Sequence, residues 1–142
     1  MAIKVDLEKA YDRLEWNFIH KVLQTFHFPD QLIKLIMSCI SSTSISILFN
    51  GGAIETFSPA RGILQGDPLS PYLFILCMEY LGSLIEECME GNWTLVKAFR
   101  DNIGISHLFF ADDLMLFAKA SEDNYEAIME LLECFLLNWG RR

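Results

Sequence analysis

The spacing of apolar and polar positions changes several times along the chain, and each change predicts an element. Ala2 to Leu7 reads as a short strand. From Leu14 the apolar spacing lengthens to three and four residues through Trp16, Ile19, Leu23 and Phe26, which predicts a helix that Pro29 ends. Asp30 is placed to cap a second helix with Leu32, Ile33, Leu35, Ile36 and Ile40 on its buried side. Ser44 to Phe49 alternates, Asn50-Gly51-Gly52 follows, and Ala53 to Phe57 resumes an extended run, a strong hairpin signal. Ser58 to Pro71 carries three prolines and two glycines and reads as a shaped loop. Asp67 or Ser70 then caps a long helix, with Pro68 or Pro71 at its first position. Its stripe of Leu73, Leu76, Cys77, Tyr80, Leu81, Leu84 and Ile85 runs towards Glu90 and a stop at Gly91. Trp93 to Gly104 has no clear period. Ile105 to Ala111 and Leu114 to Ala118 are apolar runs flanking Asp112-Asp113. Glu122 to Trp139 predicts a last helix with Tyr125, Ile128, Met129, Leu132, Phe135 and Leu136 inward. This order predicts an α+β domain, with helices packed on one face of an antiparallel sheet.

Composition narrows the picture. A chain of 142 residues that is 52% hydrophobic and 13% aromatic suits one domain with a full core and excludes a disordered one. The longest apolar stretch, Tyr72 to Ile85, is broken by Glu79 and falls short of the roughly 20 residues of a membrane span, so no membrane role is expected. The N-terminal residues form no apolar signal region, so the expectation is an intracellular protein that is not secreted. Cys39, Cys77, Cys88 and Cys134 lack the short spacing of a zinc site and are expected as reduced core thiols. His20, His27 and His107 stand apart from one another and read as packing or surface residues.

Charge argues against a self-sufficient nucleic-acid binder. The net charge is −8, whereas such binders are usually basic. Residues 1–60 are nearly balanced at −1, and residues 61–142 carry −7. The excess sits in Glu86, Glu87, Glu90, Glu122, Asp123, Glu126, Glu130 and Glu133, at spacings that suit solvated helix faces. No basic stripe is present to neutralise phosphates.

Three segments carry candidate chemistry. In Phe109 to Phe117, Asp112 and Asp113 interrupt residues that otherwise look buried on both strand faces. Buried carboxylates cost several kcal/mol without a compensating cation or donors. An Asx-stabilised turn accounts for the pair locally, and a hard-cation site of the Mg2+ type accounts for it chemically. Asp6 ends the first strand, where an acid is ordinarily a cap or a solvated group. If that strand pairs beside the Asp112–Asp113 hairpin, three carboxylates converge, as two-metal phosphoryl transfer requires. In the loop Arg61 to Pro71, Gly62 and Gly66 permit close backbone approach, Gln65 offers an amide and Arg61 can pair with phosphate. An ordinary helix entry explains the same residues.

Together and in this order, Ile3 to Trp16 (IKVDLEKAYDRLEW), Arg61 to Phe74 (RGILQGDPLSPYLF) and Ile105 to Phe117 (ISHLFFADDLMLF) resemble motifs A, B and C of the reverse transcriptase palm. The flavour is that of non-LTR, LINE-type retrotransposons, notably plant ones, and the hairpin ILFNGG before motif B also matches. The resemblance implies a partial reverse transcriptase domain over residues 1–142. Fingers and thumb are expected to be missing, because the chain begins at motif A and stops near where motif D should follow. It implies metal-binding and catalytic roles for Asp6, Asp112 and Asp113, with Asp112 the firmer ligand, and two Mg2+ ions, Mn2+ being an alternative. It implies that Tyr11 is the gate against a 2′-hydroxyl and that Gln65 and Gly66 pack on the incoming nucleotide and template, with Arg61 beside them. Asp12 also matches but lies on the helix side. An RNA template, a DNA primer and dNTP are the implied partners of the full-length enzyme. This chain alone is expected to bind nucleic acid weakly or not at all and to be inactive. The competing expectation is a non-catalytic, domesticated remnant acting as an interaction module.

Overall fold

The computed structural model describes residues 1–89, 93–98 and 103–140. Strand β1, Ala2–Asp6, leads through a single helical turn, α1 (Ala10–Arg13), into α2 (Trp16–Thr25) and α3 (Asp30–Ser41). Strands β2 (Leu48–Phe49) and β3 (Gly52–Ala53) form a small hairpin. Its turn residues Asn50 and Gly51 take φ of 50° and 82°, the left-handed pair that an Asn-Gly turn supplies. Helix α4 (Ser70–Met89) is the longest element. It is followed by β4 (Val96–Ala98) and β5 (Ile103–Ile105), then β6 (His107–Phe110), β7 (Asp113–Phe117) and α5 (Glu122–Trp139).

The main sheet is antiparallel, in the order β1-β7-β6. Register divides its residues between two faces. Val5, Leu114 and Phe109 lie opposite one another on one face, as do Ile3, Leu116 and His107. This face packs on the helices: Leu114 and Leu116 are fully buried, and Phe109 and His107 lie over Gly82 of α4. Fully burying a leucine contributes about 2 kcal/mol. The other face, bearing Lys4, Asp6, Leu108 and Phe110, is exposed. Behind the sheet, α2, α4 and α5 close the core around Phe18, Leu23, Cys77, Leu81, Ile128 and Phe135. The expected α+β arrangement with an antiparallel sheet is therefore present.

Several local expectations need correction. Pro29, not Asp30, occupies the N-cap of α3, and no side chain caps it. Only Ile33 and Ile36 of α3 are buried, while Leu32 and Leu35 are exposed, because α3 touches the core along a narrow line. Tyr125 and Leu136 of α5 are likewise exposed. Trp93 to Gly104, expected to be aperiodic, holds β4 and most of β5, which pair antiparallel. Cys77 is a core thiol whose burial pushes its pKa up to about 12. Cys39 and Cys134 are exposed, so the expectation of four core thiols fails for those two. The stop at Glu90 and Gly91 lies outside the described residues.

Candidate functional site

The acidic pair sits at the tip of the β6–β7 hairpin. The β6–β7 turn is Ala111–Asp112, with Ala111 at φ 52°, and Asp113 is the first residue of β7. The flanking segment is also less buried than expected: Leu108 and Phe110 are exposed, Phe110 at 82%.

Register then brings Asp113 directly opposite Asp6. Opposed residues of an antiparallel pair share a face, with Cβ atoms about 5 Å apart. Phe110 opposes Asp113 from the other side, so Asp6, Asp113 and Phe110 form one row across the exposed face. Asp112 is one residue away, and its carbonyl accepts the backbone N–H of Leu7 at 3.3 Å. Among the described residues, no group of three or more His, Cys, Asp or Glu side chains is arranged to hold a metal ion. Two features account for the looseness. Asp112 lies on the turn rather than in the row, and Asp113 is engaged by Lys4, whose Nζ lies 2.9 Å from Oδ2.

Lys4 joins the site residues expected from sequence; its position two residues before Asp6 on one strand is the signal that places it there. The hydrogen bond from Lys4 to Asp113 is the main cause that holds its ammonium above the ordinary lysine range. The charge of Asp113 adds to this, desolvation opposes it, and Asp6 and Asp112 add less than either.

Asp112 lines a cavity of about 580 Å3 together with Tyr11, Gln65, Phe74 and Phe109. Tyr11 reaches it from α1 and stacks on Phe74 of α4, with centroids 4.9 Å apart and planes at 12°. The loop bearing Gln65 is stitched to the segment bearing Tyr11 by three hydrogen bonds. Gly62 N–H donates to Leu14 O at 2.8 Å, Ile63 N–H to Tyr11 O at 2.9 Å, and Trp16 Nε1–H to Gly62 O at 2.8 Å. Gly62 is required here. Its φ is 84°, and a Cβ would lie 2.9 Å from Asp12 O. Gly66 also takes a left-handed φ, 90°.

Arg61 stands apart from this cavity. Its guanidinium pairs with Glu15 at 3.6 Å and lines a separate, smaller hollow that includes Asp12 and Asp67. The chain thus brings together Asp6 with Asp113, and Asp112 with Tyr11 and Gln65. It does not bring Arg61 to either group.

The reverse transcriptase (RNA-dependent DNA polymerase) family matches across residues 1–142. A retrovirus-related Pol polyprotein from the type-2 retrotransposable element R2DM of Drosophila melanogaster is 34% identical over 81% of the chain. A Pol polyprotein from the type-1 retrotransposable element R2 of Nasonia vitripennis is 32% identical over 96% of it. An uncharacterised mitochondrial protein of Arabidopsis thaliana is 45% identical over 46% of it. The matched stretches span 10%, 12% and 55% of those three relatives. The chain belongs to the reverse transcriptase family and is of the non-LTR retrotransposon kind.

Proposed function

We propose that the chain is the palm of a reverse transcriptase and that Asp6, Asp112 and Asp113 are its metal-binding carboxylates. The observation that carries this reading is the register that sets Asp6 opposite Asp113, one residue from the cavity-lining Asp112. The donors are carboxylate oxygens, the ligand type that a hard divalent cation takes, and one of them already pairs with the ammonium of Lys4. Two Mg2+ ions held there would activate a primer 3′-hydroxyl and neutralise the leaving pyrophosphate. The other residues bind and orient. Tyr11, braced by Phe74, forms a rigid wall of the cavity and acts as the gate against a 2′-hydroxyl. Gln65 offers its amide to the nucleotide or template, and Gly66 lets the loop turn beside it. Arg61 pairs with Glu15 outside this cavity, with further guanidinium N–H donors available to a phosphate.

By itself the 142-residue chain is expected to be inert in templated synthesis. Its acidic balance leaves little to hold a template, since affinity for nucleic acid comes from phosphate neutralisation. RNA template, DNA primer and dNTP are partners of the longer enzyme.

Primer extension on poly(rA)/oligo(dT) with Mg2+ and dTTP tests both statements. The expected result is no extension by this chain, together with divalent-metal binding that Asp6→Asn weakens. Extension that Asp112→Ala abolishes would overturn the inertness while supporting the polymerase site. Absence of metal binding would overturn the site.

A further inference from the structure

We propose that the hollow between α3 and the loop before α4 takes the guanidinium of an arginine side chain presented by a polypeptide partner. The inference uses neither the carboxylate row nor the cavity of Tyr11 and Gln65.

The loop makes the hollow. Gly62 N–H donates to Leu14 O and Ile63 N–H to Tyr11 O, which fastens the loop beside α1. A space of about 160 Å3 is left between it, α3 and the first residue of α4. Small-molecule sites run to roughly 300–1,000 Å3, so the hollow is sized for a single side chain. Ile40, Ile45 and Ile63 give it apolar walls, and Asp12 and Asp67 bring carboxylates to it.

Those carboxylates are not neutralised. Neither Asp12 nor Asp67 has an ion-pair partner among the described residues. One oxygen of Asp67 accepts the N–H of Leu69 at 2.7 Å, which leaves the other free. Arg61 is the one basic residue of the lining, and Glu15 already holds its guanidinium at 3.6 Å. Ser70 is an independent sign of a missing partner. It is 2% exposed and lines the hollow from the start of α4. Its backbone N–H donates to Asp67 O, but its hydroxyl bonds to no described residue, whereas the hydroxyl of Ser83 on the same helix returns to Glu79 O at 3.1 Å. Among the described residues no partnerless side-chain oxygen is fully sealed. The Ser70 hydroxyl therefore meets free space, and the free space that Ser70 lines is the hollow.

Free carboxylates, a hydroxyl oxygen and apolar walls match an arginine side chain. Its planar guanidinium offers five N–H donors in a fork suited to carboxylates, and its stem packs on apolar carbon. The compact ammonium groups of a polyamine lack that fork. A phosphate would meet Asp12 and Asp67 as like charges. The net charge of −8 draws a basic partner to the same surface.

The test is titration of the full chain with N-acetyl-arginine amide at low ionic strength, followed by backbone amide shifts, with circular dichroism confirming the fold of each variant. Shifts are expected at Asp12, Gly62, Asp67 and Ser70. Asp12→Asn and Ser70→Ala are each expected to weaken binding about two- to fivefold, and either serves if the other fails to fold. N-acetyl-norvaline amide, the stem without its cation, is expected to leave these amides unmoved. Equal shifts from the norvaline compound, or arginine binding that no folded variant weakens, overturn the proposal. Shifts there from spermidine or inorganic phosphate, with the arginine compound without effect, overturn it and assign the hollow to a polyamine or to an anion. No shift from any of them overturns it outright.

Discussion

Gly62 shows how a single missing Cβ positions two functional segments at once. The close approach of Asp12 O and the left-handed φ both exclude a side chain at this point. Gly62→Ala is expected to destabilise the chain by about 1–3 kcal/mol, the usual cost of a strained backbone position. A fall in the urea midpoint checks it, and an unchanged midpoint would contradict it. His107 makes a second prediction at this scale. Burial over α4 lowers its pKa, while Glu86 and Glu79 oppose the shift. A histidine depressed in the folded state takes up its proton more readily when unfolded, so stability rises with pH between its folded and unfolded values. Its contribution is full above about pH 6.5 and is lost as pH falls below that. The loss of stability between pH 7 and pH 5.5 should be smaller in His107→Gln than in the parent. An identical loss would refute this. What was legible at this scale was chemistry rather than position. Asp6, Asp112, Tyr11 and Gln65 are identifiable as types in motifs, but a φ of 52° at Ala111 decides that Asp113 belongs to the strand. Arg61 looks like a free phosphate ligand until its partner Glu15, 46 residues away in sequence, is seen beside it.

Helix α5 illustrates an element that its own residues define. Ser121 accepts the N–H of Asn124, and the apolar positions Ile128, Leu132 and Phe135 carry the helix onto the core. Its limits match the expected Glu122 to Trp139 because capping and periodicity are both local signals. Asn124 adds something that periodicity does not register. It is buried, its Oδ1 accepts Thr94 N–H at 2.7 Å, and its Nδ2 donates to Lys119 O at 3.2 Å and Ser121 Oγ at 2.6 Å. Asn124→Ala strands those groups and is expected to cost about 1–3 kcal/mol in chemical denaturation. A change within a few tenths of a kcal/mol would show that the clamp is dispensable. The β4–β5 hairpin escaped the reading for the opposite reason. Three-residue strands are too short to show alternation, and it is their pairing with each other that defines them. Helix α3 buries a narrower face than its periodicity predicts, because periodicity gives the direction of a stripe and the neighbouring elements decide its width.

At the scale of the molecule, apolar surface and acidic charge shape its behaviour. Leu48 at 77% and Phe49 at 67% exposed crown the β2–β3 hairpin, and Phe110 and Leu108 lie on the open face of the main sheet. Patches of this kind favour association. The chain is expected to self-associate at micromolar concentration, and Leu48→Ser with Phe49→Ser should reduce this at little cost in stability, since neither side chain is buried. Light scattering that shows a monodisperse monomer for the parent would contradict it. Among the described residues no helix is long and apolar enough to cross a membrane. The charge of −8 weakens the grip on phosphates and at the same time supplies the oxygen ligands that a hard cation needs.

We propose that divalent cations bind at the row of Asp6 and Asp113, with Asp112 beside it. Mapping paramagnetic broadening by Mn2+ on the backbone amide resonances tests it most directly. Substoichiometric Mn2+ should broaden Asp6, Leu7, Asp112 and Asp113 first and leave α5 untouched. Broadening centred on the acidic helix faces at Glu86, Glu87, Glu122 and Glu126, with the strand row unaffected, would show that the three aspartates are not the cation ligands.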